Sequence, residues 1–527
     1  MIVYWLRRDF RLLDNLALTR AVEFAKNNSN QKLTCLYILD EGLLRENNWN
    51  IGSNRREYLS QLLVDISTKL PNFKIIIGKP VQVFESIAKN CSKQNLNLQV
   101  FANDDIEPFA IERDNNIDKI LTKHNFKLSL HNDQLSVLRD IRAGSGNIYS
   151  VFTPYKNAIL KKFLECEVVD KVDLSKIELF DSSKLYQGLE LIEPENILNK
   201  IKAKNILQIK NTLGNTLGNT LTLDIDETLA EVLVLEKNSD IFGIQQWYKN
   251  EQEALEYFDY FNKNKIIDYK VKRDDLEIDT KISFEHHDNE FLSSGGTSKM
   301  SVALKWGLVS ARTLKRRILQ VHGLKPDDLI IKKEFETGIG CYISELAWRE
   351  FYRYILLHFP MVMNTEFQPK FRGTINWING DEGLVRFKAW IQGRTGYALV
   401  DAAMIQLART GWMHNRSRML VASILTKNLG VDWRWGQEYF RIALLDLDEA
   451  SNNGGWQWGA SVGADPKPIR IFNSYLQSDK YDTLGLYRKK WLPENYDYFA
   501  EPIIEHKLAR EQAIIRYKSA SGGVRDF

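Results

Sequence analysis

Ile2-Val-Tyr-Trp-Leu6, followed at once by Arg7-Arg8-Asp9, decides how the first part of the chain is read. Five apolar and aromatic residues with no polar alternation form a strand buried on both faces, and the charges mark its end. The same kind of run returns at Leu33–Leu39, Phe73–Ile77 and Leu98–Ala102. Between these runs, Asn15–Ala25, Asn54–Leu70, Val81–Asn90 and Ile111–Lys123 carry helical spacing, as Leu59, Leu62, Leu63 and Ile66 show. Strands alternating with helices of this length predict an α/β domain: a parallel, doubly wound sheet with helices on both faces. No GxGxxG follows the first strand, which disfavours an ordinary dinucleotide site there.

Beyond this region the pattern weakens from Val168 to Gln246. That stretch holds Asn211-Thr-Leu-Gly-Asn-Thr-Leu-Gly-Asn-Thr-Leu221. Its four-residue period is too short for a solenoid and reads as a low-complexity linker or loop. From Gln246 onward helical periodicity dominates, near Gln252–Asn264, Ser301–Leu304, Ala311–His322, Ser344–Phe359, Gly383–Gln392, Ala398–Thr410, Arg416–Asn428 and Trp435–Leu445. The expected organisation is an α/β domain over residues 1–130, a connector over 131–246 and an all-α domain over 247–527.

The 527 residues suit two to four domains, and 44% hydrophobic with 26% charged residues is an ordinary globular balance. No stretch approaches the ~18 apolar residues of a spanning helix, and the start lacks the regions of a signal peptide. A cytoplasmic protein is the expectation. Net charge is +3, from 71 Lys+Arg against 68 Asp+Glu, too even for a chain that coats nucleic acid indiscriminately. Cys35, Cys91, Cys166 and Cys341 form no CxxC pair, so neither a metal site nor a disulfide framework is expected. Eight of the 13 tryptophans fall between residues 340 and 460: Trp348, Trp377, Trp390, Trp412, Trp433, Trp435, Trp456 and Trp458. Indoles fill cores, but they also stack on bases and flavins and carry electrons.

Four segments could carry chemistry. Gly295-Gly-Thr-Ser-Lys-Met-Ser301 opens a helix with glycines and hydroxyls, a setting that binds phosphate, although Ser301 can equally be a cap. Glu345, Trp348, Arg349 and Tyr352 share one helical face and suit a planar ligand, or else a surface ion pair beside core aromatics. In Gly411-Trp-Met-His-Asn-Arg-Ser-Arg-Met419, Asn415 shares a face with Met419, and His414 with Arg418. An arginine there can hold a phosphate or a carboxylate, while a single histidine is usually structural. In Asp446-Leu-Asp-Glu-Ala-Ser-Asn-Asn-Gly-Gly-Trp-Gln-Trp458, the Asn-Asn-Gly-Gly centre reads as a turn whose glycines admit a close ligand.

In this order the segments resemble the DNA photolyase/cryptochrome family. Tyr4-Trp-Leu-Arg-Arg-Asp-Phe-Arg-Leu-Leu-Asp-Asn-Leu-Ala17, Val151-Phe-Thr-Pro-Tyr155, Gly396-Tyr-Ala-Leu-Val-Asp-Ala-Ala-Met404 and Ile503-Ile-Glu-His-Lys-Leu-Ala-Arg510 are further matches. The closest likeness is to the class I enzymes that split cyclobutane pyrimidine dimers.

The resemblance implies a helical domain holding a U-shaped FAD. Tyr269 with Thr297, Ser298, Lys299, Met300 and Ser301 would hold its phosphates, and Arg418, Asp446, Leu447, Asp448 and Asn452 would line its ring, Asn452 at N5. It implies that Trp348 stacks on a flipped dimer, that Glu345 binds a pyrimidine edge, and that Asn415, Met419 and Tyr352 line the same site. Arg273, Arg349, Arg416, Lys467 and Arg470 would meet flanking phosphates, with Gln477 nearby. Trp456, Trp433 and Trp377 match the family's electron relay. No metal is implied, and the partner is DNA containing pyrimidine dimers, met by a monomer.

Two relatives of different activity are weighed against repair of cyclobutane dimers. A (6-4) photolyase has a second histidine where this chain has Asn415 or Met419, and a plant-type photosensor has aspartate at the position of Asn452. The Fe–S branch needs cysteines this chain lacks. Two departures stand out: Ile278–Ser294 intervenes between Tyr269 and the glycine loop, and Asn473-Ser474 replaces a common Asn-Pro. A second, antenna chromophore is left open between a deazaflavin, a flavin mononucleotide and none, because Phe109-Ala110 stands where a folate-binding member has Asn-Glu.

Overall fold

In the computed structural model, residues 1–28, 32–41, 53–133, 139–175, 183–197, 206–213, 216–224, 228, 244–278, 295–330, 337–464, 469–497 and 501–522 are described. Strand β1 (Ile2–Leu6) is buried along its whole length and lies inside a six-stranded sheet. It pairs in parallel with β2 (Leu33–Leu39), Ile2 opposite Leu33, and with β4 (Gln99–Asn103), Ile2 opposite Gln99. β3 (Phe73–Ile77) extends one side and β5 (Lys127–His131) the other, both parallel. β6 (Glu190–Ile192) closes the β3 edge antiparallel, Ile75 opposite Ile192. The strand order is β5-β4-β1-β2-β3-β6. β5 and β6 escape the hydrophobic pattern because both are short strands at the sheet's edges with exposed residues.

Alternating side chains give the sheet two faces. Val3, Trp5, Leu36, Ile38 and Val100 pack on one side with Phe84, Ile87, Ile117 and Leu121. On the other, Ile2, Tyr4, Leu6 and Cys35 join a core that runs on through Leu59 and Leu63 into Trp306, Tyr342 and Phe351 of the helical part. The sheet is thereby fused to the helices through a continuous apolar interior, a further reason why β1 shows no polar alternation.

The strand order reverses between β1 and β4, where open α/β sheets usually bind ligands. Here the chain's own charges meet: Arg7 pairs with Asp114 at 2.7 Å and Arg8 with Asp105 at 3.0 Å.

Two sequence expectations are corrected. The Asn-Thr-Leu-Gly repeat is not a structureless linker: Ile206–Leu213 and Thr216–Asp224 form a two-stranded antiparallel sheet, with residues 214 and 215 outside the described residues. The Asn-Asn-Gly-Gly stretch is not a turn. It lies inside helix Glu449–Gly459, whose N-cap Asp448 accepts from the Ser451 N–H at 3.0 Å. Each glycine costs a helix about 1 kcal/mol, and packing overrides that cost here. The stretch 279–294 lies outside the described residues. No helix among the described residues is long and apolar enough to cross a membrane.

Candidate functional site

The glycine loop leans on the short helix Tyr269–Lys272. A Cβ on Gly296 would lie 2.1 Å from the Lys272 carbonyl oxygen, so only glycine permits this approach. Ser298 Oγ and the Tyr342 hydroxyl are hydrogen bonded at 2.9 Å, and Tyr342 meets Tyr269 edge-on with ring centroids 5.2 Å apart. Tyr269 therefore reaches the loop in spite of the intervening stretch. Tyr248 donates to the Lys299 carbonyl at 2.7 Å, and Trp412 Nε1 donates to Ser301 Oγ at 3.3 Å. Met300 is buried behind the loop, while Thr297 Oγ1 is buried with no hydrogen-bond partner. Tyr248 and Tyr342 escaped sequence reading. Tyr342 had a signal, standing one helical turn before Glu345.

A second group gathers where helix Asn415–Ser423 meets helix Glu449–Gly459. Arg418 donates to Met413 O at 2.7 Å and to Asp446 Oδ2 at 2.7 Å. Asp446 is buried, yet its Oδ1 has no partner among the described residues. Asn452 donates to the Gln437 carbonyl at 3.2 Å, and its own Oδ1 is buried without a partner among the described residues. Leu447 is buried between them in sequence. Asp448 differs: one oxygen caps the helix and the other takes Arg353 at 2.6 Å. Burial alone would raise its pKa, but Arg353, Arg349 and Arg8 hold it well below the usual carboxylate range. His414 caps helix Asn415–Ser423 by accepting from the Arg416 N–H at 3.1 Å.

The third group lies on helix Gly338–His358. Trp348 stacks on Phe152 with centroids 3.6 Å apart and planes 10° from parallel. Tyr352 occupies the notch at Gly454, where a Cβ would lie 2.1 Å from the ring. Glu345 takes an ion pair from Arg273, which also donates to Cys341 Sγ at 3.4 Å. Arg349 turns inward and donates to Leu304 O at 3.2 Å; burial pushes its pKa down to about 9, with Arg353 adding to the effect.

Asn415 is exposed and its amide approaches Met419 Sδ at 3.8 Å. Arg416 pairs with Asp274 at 2.6 Å and lies over Tyr481 at 4.3 Å. Arg470 is exposed, Gln477 is half-buried, and Lys467 lies outside the described residues. No cluster of His, Cys, Asp and Glu among the described residues could hold a metal ion.

Trp377, Trp433 and Trp456, the tryptophans that the resemblance places in a relay, lie in one apolar core. The Trp456 ring packs on the backbone of Gly436, where a Cβ would fall 2.0 Å away. Trp433 stands one turn earlier on that helix, Trp433–Ala443. Three residues before it, Gly430 accepts from the Ile378 N–H at 2.9 Å, which ties the segment that carries Trp377 to the start of this helix.

The site is thus long and divided: a hydroxyl donor at the loop, unmatched acceptors on Asp446 and Asn452, and an aromatic and acidic face beyond Gly454. Such a set fits a ligand whose central pyrophosphate lies at the loop and whose N–H-bearing ring at one end reaches the acceptors, as FAD has.

Two family models match the chain. The family described as "DNA photolyase" matches residues 2–173, and the one described as "FAD binding domain of DNA photolyase" matches residues 342–520. A deoxyribodipyrimidine photo-lyase of Synechococcus sp. is 33% identical, over 94% of this chain and 88% of its own. That of Escherichia coli is 30% identical over 98% of both chains. Among solved structures, a Synechocystis cryptochrome superposes with a TM-score of 0.72 at 23% identity, covering 98% of this chain and 99% of its own. A class III photolyase from Agrobacterium tumefaciens gives 0.70 at 24%, covering 99% and 98%; likenesses at these identities speak for the fold alone.

Proposed function

Because the chain belongs to the DNA photolyase family, we propose that it splits cyclobutane pyrimidine dimers in DNA with light, using FAD. The observation that supports this most is Tyr352 seated on Gly454. That contact sets the face of Glu345 and Trp348 beside the helix that carries Asn452.

Thr297 and Ser298 offer hydroxyls to the FAD phosphates, with Tyr269 and Tyr342 walling the loop and Lys299 to Ser301 contributing backbone. Asp446 Oδ1 and Asn452 Oδ1 accept from the flavin ring. Leu447 lines the site, and Asp448 fixes the helix end that carries Asn452. Reduced FAD, when bound and illuminated, supplies the electron that opens the cyclobutane ring and takes it back afterwards. Arg418 sets a positive charge beside that ring, and Asp446 keeps the guanidinium oriented.

A dimer must leave the duplex stack before it can be reached, and its weakened pairing lowers that cost; photolyases are a named instance of base flipping. Trp348, stiffened from behind by Phe152, offers the extruded dimer an apolar platform. Glu345 accepts from a pyrimidine N–H, and Asn415, Met419 and Tyr352 complete the wall. Arg273, Arg416, Lys467 and Arg470 neutralise flanking phosphates with Gln477, while Arg349 acts indirectly by holding Asp448. Trp456, Trp433 and Trp377 lead electrons inward to restore the reduced state. The protein works as a monomer in the cytoplasm. The groove between Ile106, Pro108 and Ile111 on one side and Leu356, Leu357 and Pro360 on the other, about 460 Å³, is where a second chromophore would fit.

Illumination of the reduced, FAD-loaded protein with a thymine-dimer oligonucleotide tests the reading. Restored thymines, formed more slowly by Glu345→Ala, are expected. Intact dimers in a protein whose flavin photocycles normally would leave a photosensor instead.

A further inference from the structure

Trp433 is completely buried, and its indole nitrogen donates to Glu366 Oε1 at 3.2 Å. Glu366 is only 1% exposed, so this is a carboxylate brought deliberately into a dry core. Arg434 neutralises part of it. That guanidinium donates to Glu366 Oε1 at 2.9 Å and to Asp432 Oδ2 at 2.8 Å, and its carbon lies 4.9 Å from the centre of the Trp433 ring. Two buried carboxylates thus share one guanidinium beside this indole. Among the described residues Trp456 has no such neighbour: its Nε1 is buried without a partner there, and its ring lies among Phe440, Trp390 and the Gly436 backbone.

An indole that gives up an electron becomes a cation, and its N–H becomes a far stronger donor. A carboxylate already on that N–H, in a medium of low dielectric, stabilises the cation with no reorganisation. Arg434 opposes this from the ring face, but the acceptor in direct hydrogen bond is nearer.

We propose that Glu366 is a positioning residue of the tryptophan relay, one that makes Trp433 easier to oxidise than Trp456 and so draws the electron vacancy one step away from the flavin. The inference builds on reading Trp456, Trp433 and Trp377 as that relay. Trp433 passes one electron to oxidised Trp456, which is restored. The positive charge now on Trp433 is met by Glu366, with the N–H proton shared between them. Trp377 then supplies one electron to Trp433, and a thiol reductant in solution re-reduces Trp377; the oxidant at the head of the chain is the illuminated, oxidised flavin. The vacancy therefore moves outward downhill, and recombination is slowed.

The test uses FAD-loaded, oxidised protein with two readouts: flash transient absorption of the tryptophan radical, and the ¹⁵N–¹H indole resonance in the dark. Glu366→Gln keeps an acceptor but removes its charge. It should shorten the life of the separated radical about tenfold, the difference between a charged and a neutral hydrogen bond. It should also shift the one indole resonance that Trp433→Phe deletes. Should Glu366→Gln fail to fold, Arg434→Gln serves: with an opposing charge removed, the radical should live longer, and a shorter life overturns the proposal. A long-lived radical lost in Trp433→Phe but unchanged in Glu366→Gln overturns the role of Glu366 and leaves the relay standing. A normal radical in Trp433→Phe overturns the relay reading itself, and this inference with it.

Discussion

Arg418 donates to one oxygen of Asp446 at 2.7 Å and leaves the other oxygen of that carboxylate buried without a partner among the described residues. A half-satisfied buried acid is costly, so the arrangement makes sense when a ligand brings the missing donor. Asp446→Asn keeps the shape but halves the acceptor capacity and leaves Arg418 without its anion. FAD affinity should fall roughly 10- to 100-fold, the worth of one charged hydrogen bond. Flavin titration of apoprotein checks this, and unchanged affinity would show that the free oxygen meets no ligand.

Salt dependence should separate two arginines that look alike in sequence. Arg470 is exposed, whereas Arg416 is held by Asp274 at 2.6 Å and by the Tyr481 ring. Each phosphate neutralised contributes about 0.9 to the slope of log K against log salt. Arg470→Ala should therefore lower the slope for damaged duplex by about that amount. Arg416→Ala should lower it less, since its charge is already partly spent on Asp274. Equal slopes for the two variants would remove the distinction.

The sheet was legible in the sequence because β1, β2 and β4 are largely buried on both faces and β3 at Ile75 and Ile76, which leaves mostly apolar runs. Helices such as Ala311–His322 were legible from one-sided spacing and from the Ser310 cap, whose side chain accepts from the Thr313 N–H. Helix Glu449–Gly459 was not, because local propensity at Asn-Asn-Gly-Gly favours a turn and only the ring of Tyr352 explains why glycine is needed within a helix. In the candidate site, Glu345 and Trp348 stand at a spacing that a linear reading can find, whereas Asn452 is pointed to only by the family resemblance. Tyr248 could not be found so: its hydroxyl meets Lys299, 51 residues away, and no periodicity reports a contact of that range. Nor does sequence show that Arg349 and Asp448 are turned toward protein partners rather than ligands.

The two neighbouring glycines should respond oppositely to the same change. At Gly454 an added methyl would meet the Tyr352 ring at 2.1 Å, while at Gly455 nothing lies within 4 Å. Gly454→Ala is expected to destabilise by about 1–3 kcal/mol through overpacking. Gly455→Ala should be neutral or stabilise by about 1 kcal/mol, from better helix propensity. Urea unfolding of the two variants decides. Similar losses in both would mean that Tyr352 yields its place easily, and the contact between the two helices would then be too soft to register the face of Trp348.

Lys427 gives the fold a pH dependence whose sign can be worked out. Its side chain is buried and donates to Gly459 O at 2.6 Å, and burial, with Arg470 adding, pushes its pKa down to about 7 from an ordinary 10.5. Between those two values the unfolded chain binds the proton and the folded chain does not. Stability from this group therefore rises as pH increases from about 7 toward 10, and below 7 both states are protonated and the buried charge is carried at full cost. Lys427→Met removes the titration. Relative to the unaltered protein it should be more stable at pH 6, by a few kcal/mol, and the advantage should shrink or reverse at pH 9.5, where the neutral amine keeps its bond to Gly459. Paired urea melts at the two pH values measure the change in that difference. A difference that stays constant would mean that the ammonium is charged in the folded state throughout, held by a stabilisation greater than the burial it suffers.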